Sequence, residues 1–464
     1  MSDAKNQSVG TPSAVIHYPA GFRARRGLNW VVLGGTYASY YLCRYNFRFA
    51  TPGMVSEFHF DYAKITEILA WWSVAYGVGQ LVNGLFCDRI GGRASMVIGA
   101  LGTVVINLIY GFVSFAGTFS TFALVWLFNG YLQSFGSPGM IKINAAWFNR
   151  SERGTFSGIF GFMIQLGQVA INNLAPLILA GFTIGAWTLP ANQWRWLFRI
   201  PPMITACMAV LVALIPRETP EAAGYAGCIK DDSDTSAGDQ ASVRVSIREC
   251  FVTIFGHPLV WFYAVAYAAT GAVRHSSDQL SVLFFDKYLH LDLSTQPRAV
   301  MWTMNIVPLI AVAGSIISGV VSDKLFGGHR SPVAVRLYAF LTLVVAAASV
   351  AMWSGLMGPT RAGVFLGCLF LILVSFSVNA THSIVGAAAP MDIGGRRMAG
   401  FASGVIDSFQ YFGAALALPL TGKLLDRYGW GTWYPTMVVF GLVGVAAMLL
   451  VMRKQKLMLA REEG

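Results

Sequence analysis

The sequence predicts an all-α membrane protein with twelve transmembrane helices arranged as two six-helix bundles. Of its 464 residues, 55% are hydrophobic and only 12% are charged, and the mean hydropathy is +0.57. Soluble domains carry about 25% charged residues, so most of this chain belongs in a bilayer. Apolar windows recur with about the 20 residues that a spanning helix needs. A repeated loop sequence and two arginines at matching positions indicate two halves.

The distribution of basic residues predicts the orientation of the spans. With the N-terminus inside, 21 of the 33 Lys and Arg residues lie in cytoplasmic segments, and 8 lie at the outer ends. Positive residues accumulate in cytoplasmic loops, so we expect a multi-pass protein of the inner (plasma) membrane with both termini cytoplasmic. The twelve windows, in order, are 28–51, 65–86, 94–116, 119–147, 155–183, 195–216, 252–285, 299–321, 333–356, 361–389, 399–422 and 431–452.

The polar segments predict the domain boundaries. The N-terminal stretch is polar and ends in basic residues before a full-length span, which indicates an uncleaved tail rather than a signal peptide. The long internal connection is rich in Asp and Ser, as flexible linkers are. We therefore expect a cytoplasmic tail (1–26), an N-terminal bundle (27–216), a cytoplasmic linker (217–250), a C-terminal bundle (251–452) and a second cytoplasmic tail (453–464).

One loop sequence occurs twice. Residues 84–93 lie between spans two and three, and residues 319–330 lie between spans eight and nine. The acids Asp88 and Asp323 are 235 positions apart, and both loops contain glycines and basic residues. Parallel repeats of this kind occur in secondary transporters with a central site. We expect these loops to act as a conformational latch through Asp88, Arg89, Arg93, Asp323, Lys324 and Arg330.

An arginine lies deep inside one apolar window of each half. Arg44 and Arg274 are 230 positions apart, close to the offset of the repeated loops. An arginine at the centre of a membrane helix costs roughly 2.5–3.5 kcal/mol, so it is usually functional. Guanidinium can bind phosphate oxygens with two hydrogen bonds, which predicts an anion site; the alternative is a pair of structural cations. Arg48, one turn after Arg44, is expected near the outer mouth rather than in the site.

Further polar residues lie near these arginines in the sequence. Asp278 follows Arg274 at i,i+4 spacing, so an ion pair between them is expected. Asp407, inside span eleven, can bind a proton or a substrate hydroxyl, or pair with an arginine. His275 is a candidate lining residue, whereas His382 is expected to be an interior histidine. Gln165, Gln168 and Asn172 keep helical spacing; they could face the cavity or join helices by hydrogen bonds.

Several motifs resemble those of the organophosphate:phosphate antiporters, a family within the major facilitator superfamily that includes glycerol-3-phosphate and hexose-phosphate exchangers. The resemblance covers most of the chain. It is found in Tyr40-Tyr41-Leu42-Cys43-Arg44-Tyr45-Asn46-Phe47, in Ala75-Tyr76-Gly77 with Asp88-Arg89, in Trp147 with Glu152-Arg153-Gly154, in Arg217-Glu218-Thr219-Pro220 with Gly224, and in Ser322-Asp323-Lys324-Leu325-Phe326 with Gly328 and Arg330.

The resemblance implies the major facilitator fold and a role for Arg44 and Arg274 in binding a phosphoryl group. It also implies site positions for Tyr76 and Tyr411. Tyr45 and Gln80 stand where the family has lysines, and Ile164-Gln165 replaces a histidine of the glycerol-3-phosphate exchanger. The complete set of expected substrate-binding residues is Arg44, Arg274, Tyr45, Tyr76, Tyr41, Gln165, His275, Asp407 and Tyr411.

The expected function is secondary active transport, not catalysis. The chain has no Walker loop, HExxH or GxSxG motif, and its six cysteines show no metal-binding spacing. We therefore expect no cofactor, no metal and no nucleic-acid partner. By resemblance, the protein would exchange an organophosphate (of the glycerol phosphate, sugar phosphate or phosphoglycerate type) for inorganic phosphate, as a monomer. A sugar-phosphate sensor signalling to a membrane kinase and a proton-coupled organic-anion transporter remain alternatives.

Overall fold

The computed structural model describes residues 18–112, 118–148, 153–229, 247–326 and 330–462, without the side chains of 153–160, 247–251, 387–403 and 459–462. Within these residues the chain is almost entirely helical. The helices are α1 (Phe22–Phe58), α2 (Tyr62–Ile90), α3 (Gly92–Phe112), α4 (Phe119–Gln133), α5 (Gly136–Trp147), α6 (Arg153–Ala180), α7 (Ile200–Leu214), α8 (Ile247–Gly256), α9 (Pro258–Leu283), α10 (Arg298–Leu325), α11 (Arg330–Trp353), α12 (Arg361–Tyr428) and α13 (Trp433–Glu462).

Local sequence determines where several helices begin. The side chain of Asp61 accepts a hydrogen bond from the backbone N–H of Lys64 and so caps α2. Pro258 is the first residue of α9, where its missing N–H is not needed. The α9 helix therefore starts at a proline, and the preceding residues form the separate helix α8. The predicted window 252–285 is thus two helices rather than one.

The fourth predicted span is also divided. The window 119–147 contains α4 and α5, which are separated at Ser134 and Phe135. Pro138 has no N–H to donate to the carbonyl of Ser134, four residues earlier, so the α-helical ladder is interrupted there. At the end of α4, the backbone N–H of Ser134 donates to the carbonyls of Gly130 and Tyr131, each at 3.2 Å. The interruption tightens the helix end beside the central cavity.

The α12 helix includes the tenth and eleventh predicted spans. His382 contacts Tyr267 of α9, with His Nε2 and Tyr Oη 3.2 Å apart, and Gln410 contacts Arg274 of the same helix. In a straight helix, His382 and Gln410 would be about 42 Å apart, whereas Tyr267 and Arg274 would be about 10 Å apart. The chain therefore reverses direction between residues 382 and 410, as two spans require.

Within the described ranges, a small hairpin departs from helical structure, and the sequence did not predict it. Strands β1 (Phe182–Ile184) and β2 (Trp187–Leu189) are antiparallel, with Thr183 opposite Thr188. Aromatic and β-branched residues favour strands, and a two-residue connection containing Gly185 (φ +60°) suits a tight hairpin turn. The hairpin follows α6 and lies before the 3₁₀ turn Trp194–Phe198.

The helices have the length and composition of a multi-pass membrane protein. The helices α1 and α9 contain arginines within their length, which lowers the mean hydropathy of these two helices. Exposed apolar side chains such as Leu343 and Phe365 face outwards, as a bilayer requires. Seven stretches of the described residues are long and apolar enough to span: Gly92–Phe112, Gly161–Ala180, Trp194–Leu214, Arg298–Leu325, Arg330–Trp353, Arg361–Gly386 and Trp430–Met458.

The N-terminal half (α1–α7) and the C-terminal half (α8–α13) meet along three helix pairs. These pairs are α1 with α9, α2 with α12, and α6 with α10. In the predicted repeat, span one corresponds to span seven, span two to span eight, and span five to span eleven. The pairing is therefore that of two similar halves around a pseudo-twofold axis. The connection between the halves contains residues 230–246, which lie outside the described residues, so the proposed linker is described only at its ends.

Candidate functional site

A cavity of about 580 Å³ lies between the two halves. It is bounded by α1, α2, α5 and α6 on one side and by α9, α10 and α12 on the other. All nine residues predicted to bind substrate line this cavity. Its polar and aromatic lining consists of Tyr37, Tyr41, Arg44, Tyr45, Tyr76, Gln80, Ser137, Gln165, Arg274, His275, Ser315, Asn379, His382, Ser383, Asp407, Gln410 and Tyr411.

Arg44 is held rigidly in the N-terminal half. Its Nε donates to Oε1 of Gln133 at 2.9 Å, and Gln133 in turn donates to the backbone carbonyls of Tyr40 and Cys43. Three aromatic rings lie 4.6–4.8 Å from the guanidinium carbon, those of Tyr41, Trp72 and Tyr76. Such contacts stabilise a cation in a dry environment. Cys43, Gln133 and the rings thus fix the guanidinium at the cavity wall.

One nitrogen of this guanidinium has no partner. Arg44 Nη2 is buried and lacks a hydrogen-bond acceptor among the described residues. A buried donor of a charged group without an acceptor is costly, by about 1–3 kcal/mol or more. The side chain lines the cavity, so an anion bound there could accept this hydrogen bond. Arg44 therefore keeps one buried donor that no described residue accepts, in addition to its contacts with the protein.

Arg274 enters the cavity from the C-terminal half. Its Nε lies 4.0 Å from Oδ2 of Asp278, which confirms the ion pair predicted from the i,i+4 spacing. Its Nη1 donates to Oε1 of Gln410 at 3.4 Å, and the hydroxyl of Tyr45 donates to Asp278 at 3.4 Å. Tyr45 and Asp278 belong to opposite halves, so this network joins α1 to α9. Arg274 has protein partners already, in contrast to Nη2 of Arg44.

Asp407 lies on the same side of the cavity as Arg274. Its Oδ1 accepts a short hydrogen bond from Nε2 of Gln410. Gln410 therefore bridges the Asp407 carboxylate and the Arg274 guanidinium. Among the described residues, no cationic side chain lies within ion-pairing distance of Asp407, so the expected alternative of a direct pair with an arginine is not observed.

Aromatic rings connect the two halves across the cavity. The rings of Tyr76 and Tyr411 have centroids 4.4 Å apart, and Tyr76 belongs to α2 whereas Tyr411 belongs to α12. Tyr411 also contacts the ring of His275 at 5.2 Å. On α1, Tyr41 and Tyr45 stack with centroids 5.7 Å apart. These contacts bring the predicted tyrosines and His275 together around one space.

The remaining predicted lining residue is Gln165, on α6. Its Oε1 is buried and has no donor among the described residues, so it can accept a hydrogen bond from a ligand. Gln168 and Asn172, which share its helical spacing, do not line the central cavity. They border a separate void of about 20 Å³ with Arg48 and Asp278. The predicted polar stripe is therefore divided between the cavity and a contact between the halves.

Sequence reasoning missed some residues of this lining. Gln410 was not singled out, although it lies three positions after Asp407 and so shares its helix face. Tyr37 likewise precedes Tyr41 by one helical turn. The i,i+3 and i,i+4 spacings were the available signal for both residues. His382, expected to be an interior histidine, lines the cavity, and its Nδ1 has no partner among the described residues.

A layer of cross-half hydrogen bonds closes one end of the cavity. Arg48 donates to the backbone carbonyl of Asp278 at 3.1 Å and to Oδ1 of Asn172 at 2.5 Å. Asn172 donates to the carbonyl of Met304 at 2.5 Å. Arg48 does not line the central cavity, as expected, but it is only 3% exposed and so lies in a closed layer rather than at an open mouth. The long α1 helix continues ten residues beyond Arg48, which places its guanidinium in the interior.

A second space lies beyond this layer, near the ends of α1 and α9. It has a volume of about 420 Å³ and is bordered by Glu57, Trp194, Lys287 and Asp292. Glu57 forms two hydrogen bonds with Arg195, at 2.6 and 2.7 Å. This contact with the Arg195 guanidinium lowers the pKa of the Glu57 carboxyl below its ordinary value. The Arg48 layer therefore separates the central cavity from this vestibule.

The first predicted latch loop is stabilised within the N-terminal half. The ammonium of Lys142 lies 3.6 Å from the Asp88 carboxylate and donates to the carbonyls of Cys87 and Asp88 at the end of α2. Glu218 accepts hydrogen bonds from the backbone N–H groups of Gly92 and Arg93. Lys142, which the sequence put inside a span, thus reaches a helix end instead.

The second predicted latch loop is described only in part. Asp323 and Lys324 are exposed at the end of α10, and Arg330 begins α11. Residues 327–329, with two of the glycines of the repeated motif, lie outside the described residues. The role of both loops as a latch remains a prediction.

The chain is similar to a well-populated group of membrane proteins. The sequence profile of the Major Facilitator Superfamily matches residues 33–418. The membrane sensor protein UhpC of Escherichia coli (strain K12) is 28% identical over 422 residues, which cover 89% of each chain. The glycerol-3-phosphate transporter of Bacillus subtilis (strain 168) is 25% identical, again with 89% of each chain covered. A probable hexose phosphate transport protein of Chlamydia pneumoniae is 26% identical, covering 89% of this chain and 88% of that protein.

Solved structures support the fold. A bacterial homolog of the human lysosomal transporter Spinster superposes with a TM-score of 0.72 at 14% identity, covering 92% of this chain and 97% of that chain. A D-xylose-proton symporter superposes with a TM-score of 0.65 at 15% identity, covering 91% and 96%. At these identities the likeness concerns the arrangement of helices. It agrees with the predicted twelve-helix architecture.

Proposed function

Because this multi-pass membrane protein belongs to the major facilitator superfamily, we propose that it exchanges a phosphorylated small molecule for inorganic phosphate by alternating access. The N-terminal bundle (27–216) and the C-terminal bundle (251–452) would rock about the central cavity. Arg44 and Arg274 would hold the phosphoryl group between them. The similarity to glycerol-3-phosphate and hexose phosphate transporters supports a phosphate ester as the substrate class.

One observation carries this proposal. Each half contributes one arginine to the same cavity, and the Nη2 nitrogen of Arg44 is buried without an acceptor. A phosphate dianion supplies acceptors that both guanidinium groups can share, which a neutral solute cannot do. Binding by two halves also gives the ligand different contacts in each conformation, which is what allows a ligand to shift the equilibrium between them.

The cost of an unpaired arginine favours exchange over one-way movement. Moving the halves together around Arg44 without an anion would leave a charged donor unpaired in a closed, dry site. A bound organophosphate or phosphate offsets that cost in either direction. The transporter would therefore change orientation when loaded, and a monomer suffices. With both termini on the cytoplasmic side of the inner membrane, the closed Arg48 layer would face the outside of the cell and the cavity would face the cytoplasm.

Phosphate self-exchange in proteoliposomes tests the proposal. Vesicles loaded with phosphate should take up labelled phosphate, and glycerol or hexose phosphates should compete. Arg44→Lys and Arg274→Lys should reduce exchange by at least about 100-fold, because lysine keeps the charge but loses the bidentate geometry. Arg336→Lys, an exposed arginine of α11 outside the cavity, is the matched control. Undiminished exchange in both cavity variants would rule out the proposed roles.

A sensor is the second candidate function. It is favoured by the similarity to the membrane sensor protein UhpC over 89% of each chain. A sensor would bind the same ligands with the same arginines but would show little flux. Ligand binding by the purified protein without measurable exchange in proteoliposomes would therefore favour the sensor over the transporter.

A further inference from the structure

One carboxylate of the central cavity is not needed for phosphate binding. Asp407 lines the cavity, and its only hydrogen-bond partner among the described residues is the amide of Gln410. An ionised carboxylate in a membrane interior is costly unless a cation compensates it. No described cationic side chain provides that compensation within ion-pairing distance. The cavity therefore contains an acidic group whose natural partner is a donor brought by a ligand.

The charges around the cavity lead to the same conclusion. Arg274 is close to Asp278 on its own helix, and Arg48 bonds the Asp278 carbonyl and Asn172 in the layer beyond the cavity. Of the charged groups that line the cavity itself, Arg44 and Arg274 are positive and Asp407 is negative. Once the Asp278 pair is included, the cavity region is nearly neutral apart from Arg48. A positive charge on the organic part of a phosphate ester would compensate the Asp407 carboxylate there.

The Arg44 guanidinium and the Asp407 carboxylate belong to different halves. Arg44 of the N-terminal half offers an unpartnered donor, whereas Asp407 and the unpartnered Nδ1 of His382 belong to the C-terminal half. Tyr411 follows Asp407 by one helical turn and so shares its helix face. An aromatic ring beside a carboxylate is a favourable environment for an ammonium group, because both attract positive charge. The lining thus suits a ligand with opposite charges at its two ends.

We propose that the substrate is a phosphate monoester that also carries an ammonium group. Its phosphate would be held by Arg44 and Arg274, and its ammonium would be received by Asp407 beside Tyr411. This inference rests on the proposed phosphate site and adds the chemical class of the organic part. It also assigns Asp407 a role in substrate specificity.

Two esters of equal size test the inference directly. The purified protein is titrated with 2-aminoethyl phosphate and with 2-hydroxyethyl phosphate by isothermal calorimetry, which requires no transport. Wild type should bind the amino ester more tightly by about tenfold or more, a ratio that corresponds to about 1.4 kcal/mol. In Asp407→Asn, which keeps the shape of the side chain, the ratio should fall towards one. Asp407→Glu should retain the preference.

The outcomes separate this inference from the proposed function. Equal or tighter binding of the hydroxy ester by wild type, or binding of neither ester, would overturn the ammonium assignment. An unchanged ratio in Asp407→Asn would do so as well. If the Asn variant does not fold, the wild-type ratio and the Glu variant still decide. Phosphate exchange is measured on the same preparation. Exchange without tighter binding of the amino ester refutes only the ammonium site, and tighter binding of the amino ester without exchange refutes only antiport.

Discussion

The carboxylate of Asp426, at the end of α12, accepts a hydrogen bond from the backbone N–H of Tyr62 at 2.8 Å. Its second oxygen accepts from the N–H of Ala63 at the same distance. A side chain of the C-terminal half therefore caps the first turn of α2 in the N-terminal half. An acidic group at a helix N-terminus also interacts favourably with the helix dipole. Because it joins the halves, this cap stabilises only conformations that are closed at this end.

Replacing Asp426 by Ala should open this end more often. A lost cap costs about 0.5–2 kcal/mol, which would change the ratio of closed to open molecules by about 2- to 30-fold. Spin labels at His59 and Leu356, both exposed and in opposite halves, would report the distance between the halves by pulsed electron paramagnetic resonance. The longer distance should gain population in the variant.

Asp61 provides the matched control for this cap. It caps the same helix by accepting from the N–H of Lys64, but both residues belong to the N-terminal half. Asp61→Ala should therefore weaken α2 without changing the distance between the labels. If Asp61→Ala and Asp426→Ala give the same distance distribution, the cross-half cap does not control opening.

Gly422 of α12 should not tolerate a side chain, because it packs closely against α2 of the other half. A Cβ at this position would lie 2.0 Å from Oγ1 of Thr66 and 2.7 Å from the carbonyl of Tyr62, both in α2 of the other half. Gly422→Ala should separate α12 from α2 by overpacking, which typically costs about 1–3 kcal/mol. We expect a longer distance between the His59 and Leu356 labels, with the fold retained.

Gly404 supplies the comparison on the same helix. Where side chains are described, no atom lies within 4 Å of a Cβ built at Gly404, so Gly404→Ala should leave the label distance unchanged. A normal, closed distance in Gly422→Ala would mean that the close approach of α2 and α12 is not needed for closure.

The arginine pair shows how far the sequence could predict the site. Arg44 and Arg274 were recognised because charged residues stand out in apolar windows and because their spacing matched the repeated loops. The nine candidate residues then line one cavity. Asp426 could not be recognised in the same way, because its partner Tyr62 is 364 positions away. A cap supplied by another half leaves no local pattern in the sequence.

Depth along a helix was the other limit. The α1 helix has 37 residues, more than the roughly 20 that cross a bilayer, so sequence position alone did not fix where Arg48 lies. The break at Ser134 could have been predicted from the sequence, because the missing N–H of Pro138 is a local property. The reversal between residues 382 and 410 was predicted, because the sequence has two separate apolar windows at 361–389 and 399–422.

Gln133→Leu should weaken anion binding without touching the anion. Gln133 accepts a hydrogen bond from Arg44 and so positions the guanidinium. Hydrogen bonds to charged groups contribute about 1.5–3 kcal/mol, so KM for phosphate exchange should rise about 10- to 150-fold, with a smaller change in the maximal rate. Asn129→Leu is the control, because Asn129 and Gln133 both bond the carbonyl of Cys43 but only Gln133 contacts Arg44. Equal effects of the two variants would indicate general packing rather than positioning.

The contact between Glu57 and Arg195 predicts a pH-dependent contribution to stability. Its hydrogen bonds with Arg195, and to a lesser degree the N–H of Trp194, lower the pKa of the folded carboxyl below its ordinary value of 4.5. A lowered folded pKa stabilises the protein above the unfolded pKa, and this contribution is lost as the pH falls through the folded pKa.

Glu57→Gln should therefore lower the thermal midpoint at neutral pH, by the equivalent of less than about 1 kcal/mol because the pair is partly exposed. The difference from wild type should therefore be present above the unfolded pKa and shrink as the pH falls through the lowered folded pKa. Glu221→Gln, at an exposed acid outside this contact, is the control for the loss of one negative charge. A gap between Glu57→Gln and wild type that widens on acidification would contradict the assignment.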